Sequence, residues 1–446
     1  MMLTMNPTYM LSKSRGTRNL LRRIGTVLCR FGMTANRFER TLNRYNAVTS
    51  ELGCVPTLPI TAKILERHPG IIRELSSQGV EFAVHGYIHI DYGVLPLQEQ
   101  VRHFKKAIHS FESCHVPFTG FRAPFLRINN ETVEALGNLS FAYDSSCAIN
   151  WDVLDKIELT SQGWSAYNSL LDFNTPKESQ KYLSLPKFVD GLVEIPVSFP
   201  DDEGMVDRLG ISNGEVISEI WRSILKKTYD RGELFNISLH PERIPICENA
   251  LTDTLRRAKQ LSPAVWTATL REIAEWWRQR DTFTFEISHE TNDRYSVKAN
   301  CSENATILLK NCKVNTPVAE WANGYQSISA RDFILESPRC PVIGVSLDTS
   351  PDAVSFLKSE GFIVERSEQP DNYPIYLSDL ARFEEADEKP LSERIEQTDA
   401  PLLRYWRWPE KARSALSVTG DIDSITLIDF VLRVFENWLQ NGRRQS

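Results

Sequence analysis

Hydrophobic residues recur at helical and at strand-like intervals, in alternation, along residues 31–283. The segment FERTLNRYNAVTSEL has apolar side chains three or four positions apart, which predicts an amphipathic helix. The short apolar run CVPTLPI follows and is typical of a buried strand. The same alternation returns in HPGIIRELSSQG, VEFAVHGY and LQEQVRHFKKAIHSFES. Strands and helices that alternate over short connections predict an α/β fold with a parallel sheet, open or closed.

Further strands are predicted at FTGFRAPF, FAYDSS, LVEIPVSF and LFNISLH. Helices are predicted at EVISEIWRSILKKTYD and in one long segment that ends in IAEWWRQR. After residue 283 the pattern changes to short β-like runs and then to a strand–helix–strand unit. We therefore expect four parts. They are the larger α/β part (1–283), a small β-rich domain (284–338), a small α/β domain with its connector (339–405), and a final strand and helix (406–446).

Composition and charge narrow the classes of protein. The chain has 446 residues, of which 41% are hydrophobic, so it can bury a sizeable core. Its net charge of -7 gives no broad basic surface for nucleic acid or an anionic membrane. Residues 13–44 are the exception, with nine Lys and Arg residues and a single acid, Glu39. This stretch is either a solvated basic helix face or a contact surface for an anionic partner.

The eight cysteines form no CxxC pair and no zinc-finger spacing, which indicates reduced thiols. Together with the absence of an apolar run long enough to cross a membrane, and of a signal-peptide pattern, this predicts a cytoplasmic protein.

Two histidines are the first candidates for chemistry. His85 and His89 lie on either side of Gly86, where the predicted strand VEFAVHGY ends. Neutral imidazoles are common metal ligands, and α/β proteins place their sites at the carboxyl ends of parallel strands. The HxxxH spacing alone fits two loop histidines equally well. Asp91 is either a partner of one histidine or a helix N-cap.

Other polar residues also follow predicted strands, namely Arg122, Asp144, the pair Asp201 and Asp202, and His240. Taken singly, each has an ordinary structural explanation: a surface salt bridge, a helix cap, a turn or a buried neutral histidine. Because successive parallel strands end at the same edge of a sheet, we expect these side chains to converge there.

Four segments together resemble the polysaccharide deacetylase family (NodB-homology, carbohydrate esterase family 4): HGYIH, GFRAPF, YDSSCAINW and ISLHP resemble its second to fifth motifs. The resemblance implies a distorted (β/α) barrel whose main part is residues 1–283. It also implies roles for the motif residues: His85 and His89 bind a metal, Arg122 positions the catalytic aspartate, Phe125 lines the substrate groove, Asp144 orients His240, Trp151 and Leu239 shape the acyl pocket, and His240 is the general acid.

The first motif of the family, a strand that ends in two aspartates, is missing from its usual place, because no Asp precedes His85. The C-terminal segment SALSVTGDID resembles that motif, with Asp421 as the general base and Asp423 as the third metal ligand. We interpret this order as a circular permutation, in which the last strand of the chain completes the barrel. Two alternatives stay open: Asp201 and Asp202 complete the site instead, or the protein is degenerate and binds no metal.

The resemblance implies a metal-dependent hydrolase that removes an N-acetyl or other acyl group from an amino sugar or glycan precursor. Zn²⁺ is the metal it favours, with Co²⁺, Mn²⁺ and Ni²⁺ as alternatives. Two other functions are compatible with the same motifs: hydrolysis of a small non-glycan amide, and carbohydrate binding without catalysis. An N-acetylated sugar is the expected partner, and neither nucleic acid nor a transmembrane segment is expected.

Overall fold

The computed structural model describes residues 31–442 with the exception of residues 140, 156 and 292. Its helices are α1 Ala35–Glu51, α2 Ala62–Arg67, α3 Pro69–Ser77, α4 Leu97–Ser113, α5 Asn130–Gly137, α6 Ser161–Asn174, α7 Gly214–Arg231, α8 Ile244–Gln260, α9 Leu270–Asp281, α10 Pro351–Ser359, α11 Glu385–Glu396 and α12 Leu427–Gly442.

The strands of the first half are β1 Thr57–Ile60, β2 Glu81–Val84, β3 Gly120–Phe121, β4 Tyr143–Asp144, β5 Ala148–Asn150, β6 Lys177–Glu178, β7 Lys187–Val189, β8 Leu192–Glu194, β9 Val197–Phe199, β10 Leu234–Ser238 and β11 Val265–Thr267. Those of the second half are β12 Thr284–Thr291, β13 Arg294–Asn300, β14 Ile307–Lys310, β15 Lys313–Val314, β16 Val318–Glu320, β17 Gln326–Ile328, β18 Asp332–Glu336, β19 Ile343–Val345, β20 Val364–Arg366, β21 Ile375–Leu377, β22 Leu402–Tyr405 and β23 Ser414–Thr419.

The main sheet runs in the order β10-β23-β1-β2-β3-β4-β8-β7, and β11 also pairs with β23. All its ladders are parallel except the β7–β8 hairpin. At one end, the Asn236 side chain of β10 donates to the carbonyl oxygen of Pro196 at 3.1 Å, which draws β10 toward the opposite part of the curled sheet. The expected α/β class is confirmed, and the described ladder is a curled, half-barrel sheet.

The C-terminal strand β23 lies between β10 and β1, inside the sheet. It pairs with β10 over five residues, from Leu234 opposite Ala415 to Ser238 opposite Thr419. All six residues of β23 are buried. The segments that follow these two strands are in very close contact. This is shown by Gly420, where an added Cβ atom would lie 1.9 Å from the Leu239 carbonyl oxygen. How the chain acquired this order is untested, so the circular permutation stays a prediction.

Two predicted elements are divided in the structure. The run LVEIPVSF forms β8 and β9, which belong to different sheets, because Pro196 lacks the N–H that one continuous ladder would need. The long helix is two helices, α8 and α9, with β11 between them. Its interruption follows from Pro263, which disfavours helical backbone in the residue before it.

The second half of the chain builds two four-stranded sheets and a parallel three-stranded sheet. Strand β22 lies in the part of the chain that the sequence assigns to the small α/β domain and its connector. It pairs antiparallel with β14, from Ile307 opposite Tyr405 to Lys310 opposite Leu402, and so belongs to a β-sheet of the preceding part. Leu234, Ala415 and Ile307 share one buried cluster, so these sheets pack against the main sheet.

Of the basic stretch 13–44, residues 13–30 lie outside the described residues. In the described remainder, Arg37, Arg40 and Arg44 are exposed on α1, and Arg44 pairs with Glu248, as a basic helix face would. A membrane-crossing helix is absent from the part of the chain that the structure describes, since none of its helices combines the needed length and hydrophobicity.

Candidate functional site

His85 and His89 lie where the chain turns sharply after β2. Gly86 between them has a φ of +81°, and a Cβ atom there would meet the Tyr92 hydroxyl oxygen at 2.7 Å. The His85 Nδ1 atom lies 2.8 Å from the Arg122 carbonyl oxygen, which can only accept, so Nδ1 carries the proton. The His85 Nε2 lone pair is therefore available on the opposite side of the ring, as a metal ligand requires.

Asp423 comes to these histidines from the far end of the chain. Its Oδ1 atom lies 3.4 Å from His85 Nε2, and its Oδ2 atom lies 3.2 Å from His89 Nε2. The three groups each offer one ligand atom, and these atoms lie within 4.8 Å of one another. The residue is held by Arg433 of α12, whose Nη1 donates to Oδ2 at 2.6 Å.

The cluster fits a divalent cation. Two imidazoles and one carboxylate are a common ligand set for zinc and similar metals. The Oδ1 atom of Asp423 is buried and has no hydrogen-bond donor among the described residues. A buried carboxylate oxygen without a donor is costly, and a cation between it and the two Nε2 atoms would compensate that cost.

Burial alone would raise the pKa of Asp423, but the attraction of His89 and Arg433 and the contacts with both histidines hold it well below its usual value. Burial lowers the pKa of His89, although Asp423 opposes the effect. Both shifts favour an ionised carboxylate beside a neutral imidazole, which are the protonation states that bind metals.

A second carboxylate, Asp421, lies beside the cluster. Its Oδ2 atom is 3.7 Å from His85 Nε2, and its Oδ1 atom accepts from Arg122 Nη1 at 3.1 Å. The fully buried Arg122 guanidinium also donates to Thr419 Oγ1 at 2.8 Å and to both the carbonyl and the hydroxyl oxygen of Ser145. These contacts fix the guanidinium, which in turn orients the Asp421 carboxylate.

His240 reaches the same edge of the sheet on β10. The register that pairs Ser238 with Thr419 brings the residues two positions further on, His240 and Asp421, to the same end of neighbouring strands. The His240 ring Nδ1 lies 2.9 Å from Asp202 Oδ1, and its backbone N–H donates to Asp202 Oδ2 at 2.8 Å. Burial would lower the pKa of His240, but Asp202 outweighs it and raises the pKa to about 10.

The partner of His240 differs from the prediction. Asp144, which the motif resemblance assigned to this histidine, accepts from Ser146 Oγ at 2.5 Å instead. Burial, followed by the nearby Glu194, raises its pKa well above the ordinary value. Asp202 follows β9, which contacts β10, and this brings its carboxylate to His240.

Asp201 and Asp202, the alternative source of metal ligands, have other partners. Asp202 is fully buried between His240 and Arg243, whose Nη1 lies 2.8 Å from Asp202 Oδ2. The Oδ1 atom of Asp201 accepts from the Gly204 backbone N–H at 2.7 Å. Among the described residues, the metal-ligand grouping contains Asp423 and neither of these carboxylates.

The predicted substrate-binding residues lie in different places. The Phe125 ring is 4.5 Å from the His89 ring, edge to face, and the buried Leu239 donates its N–H to the Thr419 carbonyl oxygen at 2.8 Å. Trp151 is buried beneath Arg231, whose guanidinium is 5.4 Å from the ring centre. Arg231 precedes β10 and His240 follows it, so this contact of Trp151 lies at the opposite end of β10 from His240.

Asp91 caps the turn that follows His89: its Oδ1 atom accepts from the Gly93 N–H at 2.9 Å, and its Oδ2 atom pairs with Arg127 at 3.0 Å. It therefore acts as an N-cap. Arg433 and Arg243 were not predicted, because nothing in the local sequence pattern shows which distant carboxylate an arginine will contact.

The fold and this cluster define an α/β protein with a candidate metal centre at the carboxyl ends of its parallel strands. Residues 39–143 match the family model described as polysaccharide deacetylase. The match confirms the resemblance of the motifs within these residues to that family. The matched residues include His85, His89 and Arg122 and end before β10 and β23.

The chain is also similar to a peptidoglycan deacetylase-like protein of Gibberella zeae, with 26% identity over 233 residues, which are 47% of this chain and 66% of that protein. A solved structure from Mycobacterium smegmatis, assigned to the polysaccharide deacetylases, is 23% identical with a TM-score of 0.41 and covers 53% of this chain and 76% of that one. A second solved structure assigned to the polysaccharide deacetylases, from Pseudomonas aeruginosa PAO1, is 21% identical with a TM-score of 0.41. The similarity covers 54% of this chain and 73% of that one.

Proposed function

We propose that the protein is a metal-dependent hydrolase that removes an N-acetyl group, or another acyl group, from an amino sugar or a glycan precursor. The observation that supports this most directly is the approach of His85, His89 and Asp423 beside an arginine-held carboxylate, Asp421. Two histidines and one carboxylate leave positions open for substrate, as catalytic metal sites do.

His85, His89 and Asp423 would hold the cation, with Zn²⁺ as the first choice and Co²⁺, Mn²⁺ or Ni²⁺ as alternatives. When bound, the cation supplies a Lewis acid next to the amide carbonyl group of the substrate. Arg433 keeps Asp423 in place through its contact with Oδ2. The Phe125 ring packs edge to face against His89 and so restricts the movement of the imidazole.

The remaining residues move protons. Asp421 accepts a proton from the attacking water, and Arg122 keeps that carboxylate oriented. The water oxygen adds to the acyl carbon, and the C–N bond then breaks. His240 carries a proton at neutral pH because its pKa is raised to about 10, and it transfers that proton to the departing amine. The products are a free amino group and a carboxylate such as acetate.

The decisive test compares metal content with hydrolysis in the full chain. Acetate release from N-acetylglucosamine oligomers is measured with Zn²⁺ supplied, and bound metal is measured by elemental analysis. We expect Asp421→Asn to retain the metal and to lose about 10²–10⁴-fold in kcat. Asp423→Asn should lose both metal and activity, and Asp371→Asn, at an exposed turn, should retain both.

Unchanged turnover in Asp421→Asn would remove Asp421 as the base. A wild-type protein that takes up no divalent metal would overturn the proposal as a whole. If metal binds but only a small non-glycan amide is cleaved, the hydrolase survives and the sugar substrate does not.

A further inference from the structure

A cavity of about 570 Å³ lies between α2 and α4, beside the loop that carries His85 and His89. This volume is in the range of pockets that hold small molecules, roughly 300–1,000 Å³. Helix α4 supplies most of the wall, α2 supplies Glu66, and the loop supplies Tyr87. None of the three candidate metal ligands is among the described residues that line the cavity. It is therefore a separate candidate site next to the metal centre.

The cavity carries an excess of positive charge, although the net charge of the chain is -7. Its described lining includes one acid, Glu66, and three cations: Arg102, Lys105 and Lys106. Arg102 pairs with Glu99 at 3.4 Å on the exposed surface of α4. Lys105 and Lys106 form no ion pair within the part of the chain that the structure describes. Two ammonium groups at this cavity therefore have no carboxylate from the described fold.

Glu66 does not neutralise these lysines, because both of its carboxylate oxygens have other partners. Its Oε2 atom accepts from Lys63 Nζ at 2.7 Å, and its Oε1 atom accepts from Ser110 Oγ at 2.6 Å. The negative charge of Glu66 is thus used mainly for Lys63, and the cations of α4 keep theirs.

The Tyr87 ring holds two ammonium groups at the cavity. Lys63 Nζ lies 4.9 Å and Lys106 Nζ lies 5.1 Å from the centre of this ring. A cation–π contact positions an ammonium group without cancelling its charge. The ring is itself fixed, because the Tyr87 carbonyl oxygen accepts from the Lys63 N–H at 3.1 Å. Part of the positive charge is therefore preorganised.

The fold gives α4 no reason of its own to carry these cations. Arg102 is three residues from Lys105 and four from Lys106, and like charges at these spacings repel each other on a helix. The opposite face of α4 buries apolar side chains such as Phe104 and Ala107, which anchor the helix. The cluster is thus better explained by a bound anion than by the stability of α4.

We propose that this cavity binds a phosphorylated sugar, with its phosphate group at Lys105 and Lys106. The lysine ammonium group is a compact charge that suits phosphate, and the Arg102 guanidinium adds paired N–H donors. A phosphate group alone fills only part of the cavity, and Gln98 and His109 in its wall can hydrogen-bond to sugar hydroxyl groups. The proposal does not rest on the proposed hydrolysis, and its tests need no activity.

The first test is calorimetric titration of the full chain with glucose 6-phosphate, after divalent metal has been removed with a chelator. Metal removal prevents the phosphate group from binding to a cation at the candidate metal site, so the result is independent of the proposed hydrolase. We expect saturable binding of one equivalent of glucose 6-phosphate, weaker binding of inorganic phosphate, and no binding of glucose. Equal binding of glucose would overturn the role of the phosphate group.

Two double variants locate the binding. Lys105→Gln with Lys106→Gln should weaken the binding of glucose 6-phosphate by about tenfold or more, because hydrogen bonds to a charged group are lost. Lys298→Gln with Lys358→Gln is the matched control, since it removes the same charge from exposed positions on β13 and α10. It should bind as the wild type does. Equal weakening in both double variants would overturn the proposal, because binding would then follow net charge alone.

Glu66→Gln tests the cavity in the opposite direction. The change removes the acid from the wall and releases Lys63 from its ion pair. Binding of glucose 6-phosphate should therefore tighten, by a factor of about two to five. Unchanged or weaker binding would contradict a phosphate group in this cavity.

A last arm distinguishes a phosphorylated sugar from a lipid headgroup. Sedimentation with vesicles of phosphatidylcholine and phosphatidylglycerol measures binding to phosphate groups on a membrane surface. We expect the protein to bind glucose 6-phosphate and to stay in the supernatant. Sedimentation with the vesicles, without binding of glucose 6-phosphate, would overturn the proposal and assign the cations to a lipid surface. Absence of both kinds of binding at millimolar phosphate would overturn it as well.

Discussion

The charge of His240 depends on one buried neighbour, Asp202, and this makes the pH dependence of the site testable. Asp202→Asn removes the carboxylate that raises the pKa of His240 to about 10. Burial and the nearby Arg243 then lower the pKa, with Glu242 as the remaining opposing charge, and the pKa should fall to about 6.5 or below. Because the acid form is lost as pH rises through this pKa, the alkaline limb of kcat/KM should move to lower pH by several units.

Histidine NMR titration of the same variant checks the pKa directly. Asp207→Asn is the matched control, because Asp207 contacts Arg243 without being the partner of His240. Its alkaline limb should stay near that of the wild type. An unshifted His240 titration in Asp202→Asn would mean that Asp202 does not set the charge of this side chain.

Gly420 provides a second prediction at the scale of a residue. In Gly420→Ala the new methyl group would lie 1.9 Å from the Leu239 carbonyl oxygen, so β10 and β23 would have to separate. We expect a loss of about 3 kcal/mol or more in the free energy of unfolding, measured by urea denaturation. Gly70→Ala is the control, since a Cβ atom there meets nothing within 4 Å. Equal stability of both variants would show that the two strands have room to move apart.

Local sequence predicted the positions of the chemical residues better than their partners. His85, Arg122, His240 and Asp421 each follow an apolar run, and a strand end can be identified from that run alone. The partner of His240 is Asp202 rather than Asp144. Which side chains of different strands meet is set by packing between segments far apart in the chain, and no local pattern shows it.

At the scale of elements, a buried charge cluster joins α10 to β22 and to the main sheet. Glu360, only 2% exposed, accepts from Arg407 at 2.5 Å and from Arg404 at 3.1 Å. In Glu360→Gln the Arg407 guanidinium stays buried without its counter-charge, while Arg404 keeps its ion pair with Glu396, and the change should cost about 3–5 kcal/mol of unfolding free energy. Denaturation of Glu360→Gln against Glu368→Gln, an exposed position, measures the difference. Similar midpoints would contradict the structural role.

The same cluster predicts how stability changes with acid. Burial would raise the pKa of Glu360, but Arg407 and Arg404 outweigh it and lower the pKa to about 2. A folded-state pKa below the unfolded value of about 4.3 means that this stability is present above pH 4.3 and is lost as the pH falls toward 2. The stability difference between wild type and Glu360→Gln should therefore shrink between about pH 4 and pH 2.

Long elements were predictable and short ones were not. The helices α1, α4 and α7 coincide closely with the segments that were predicted to be helical from the spacing of their apolar residues. Each of these helices buries one face over many residues, so the spacing is clear. Strands of two or three residues, such as β3, give too few positions to show a period. The division of LVEIPVSF at Pro196 could have been expected from proline chemistry, whereas the pairing of β22 with β14 could not.

At the scale of the whole molecule, the sheet brings together residues from opposite ends of the sequence. The apolar run SALSVT and the aspartates after it indicated a strand, and its place between β10 and β1 makes that strand central. A parallel strand in such a position is buried on both faces, which agrees with six consecutive buried residues. No local signal specifies the neighbours of such a strand, so its place had to be inferred from the missing first motif.

Because the candidate ligands come from the loop after β2 and from the segment after β23, a bound cation would connect two distant parts of the chain. A ligand that binds only the folded state stabilises it, by about 2.7 kcal/mol at a concentration of 100 Kd. We expect Zn²⁺ to raise the thermal midpoint of the wild type and of Asp421→Asn, and a chelator to reverse this. Asp423→Asn should show no increase, since it loses the carboxylate that lies near both His85 and His89. An equal increase in all three proteins would place the binding of zinc elsewhere in the molecule.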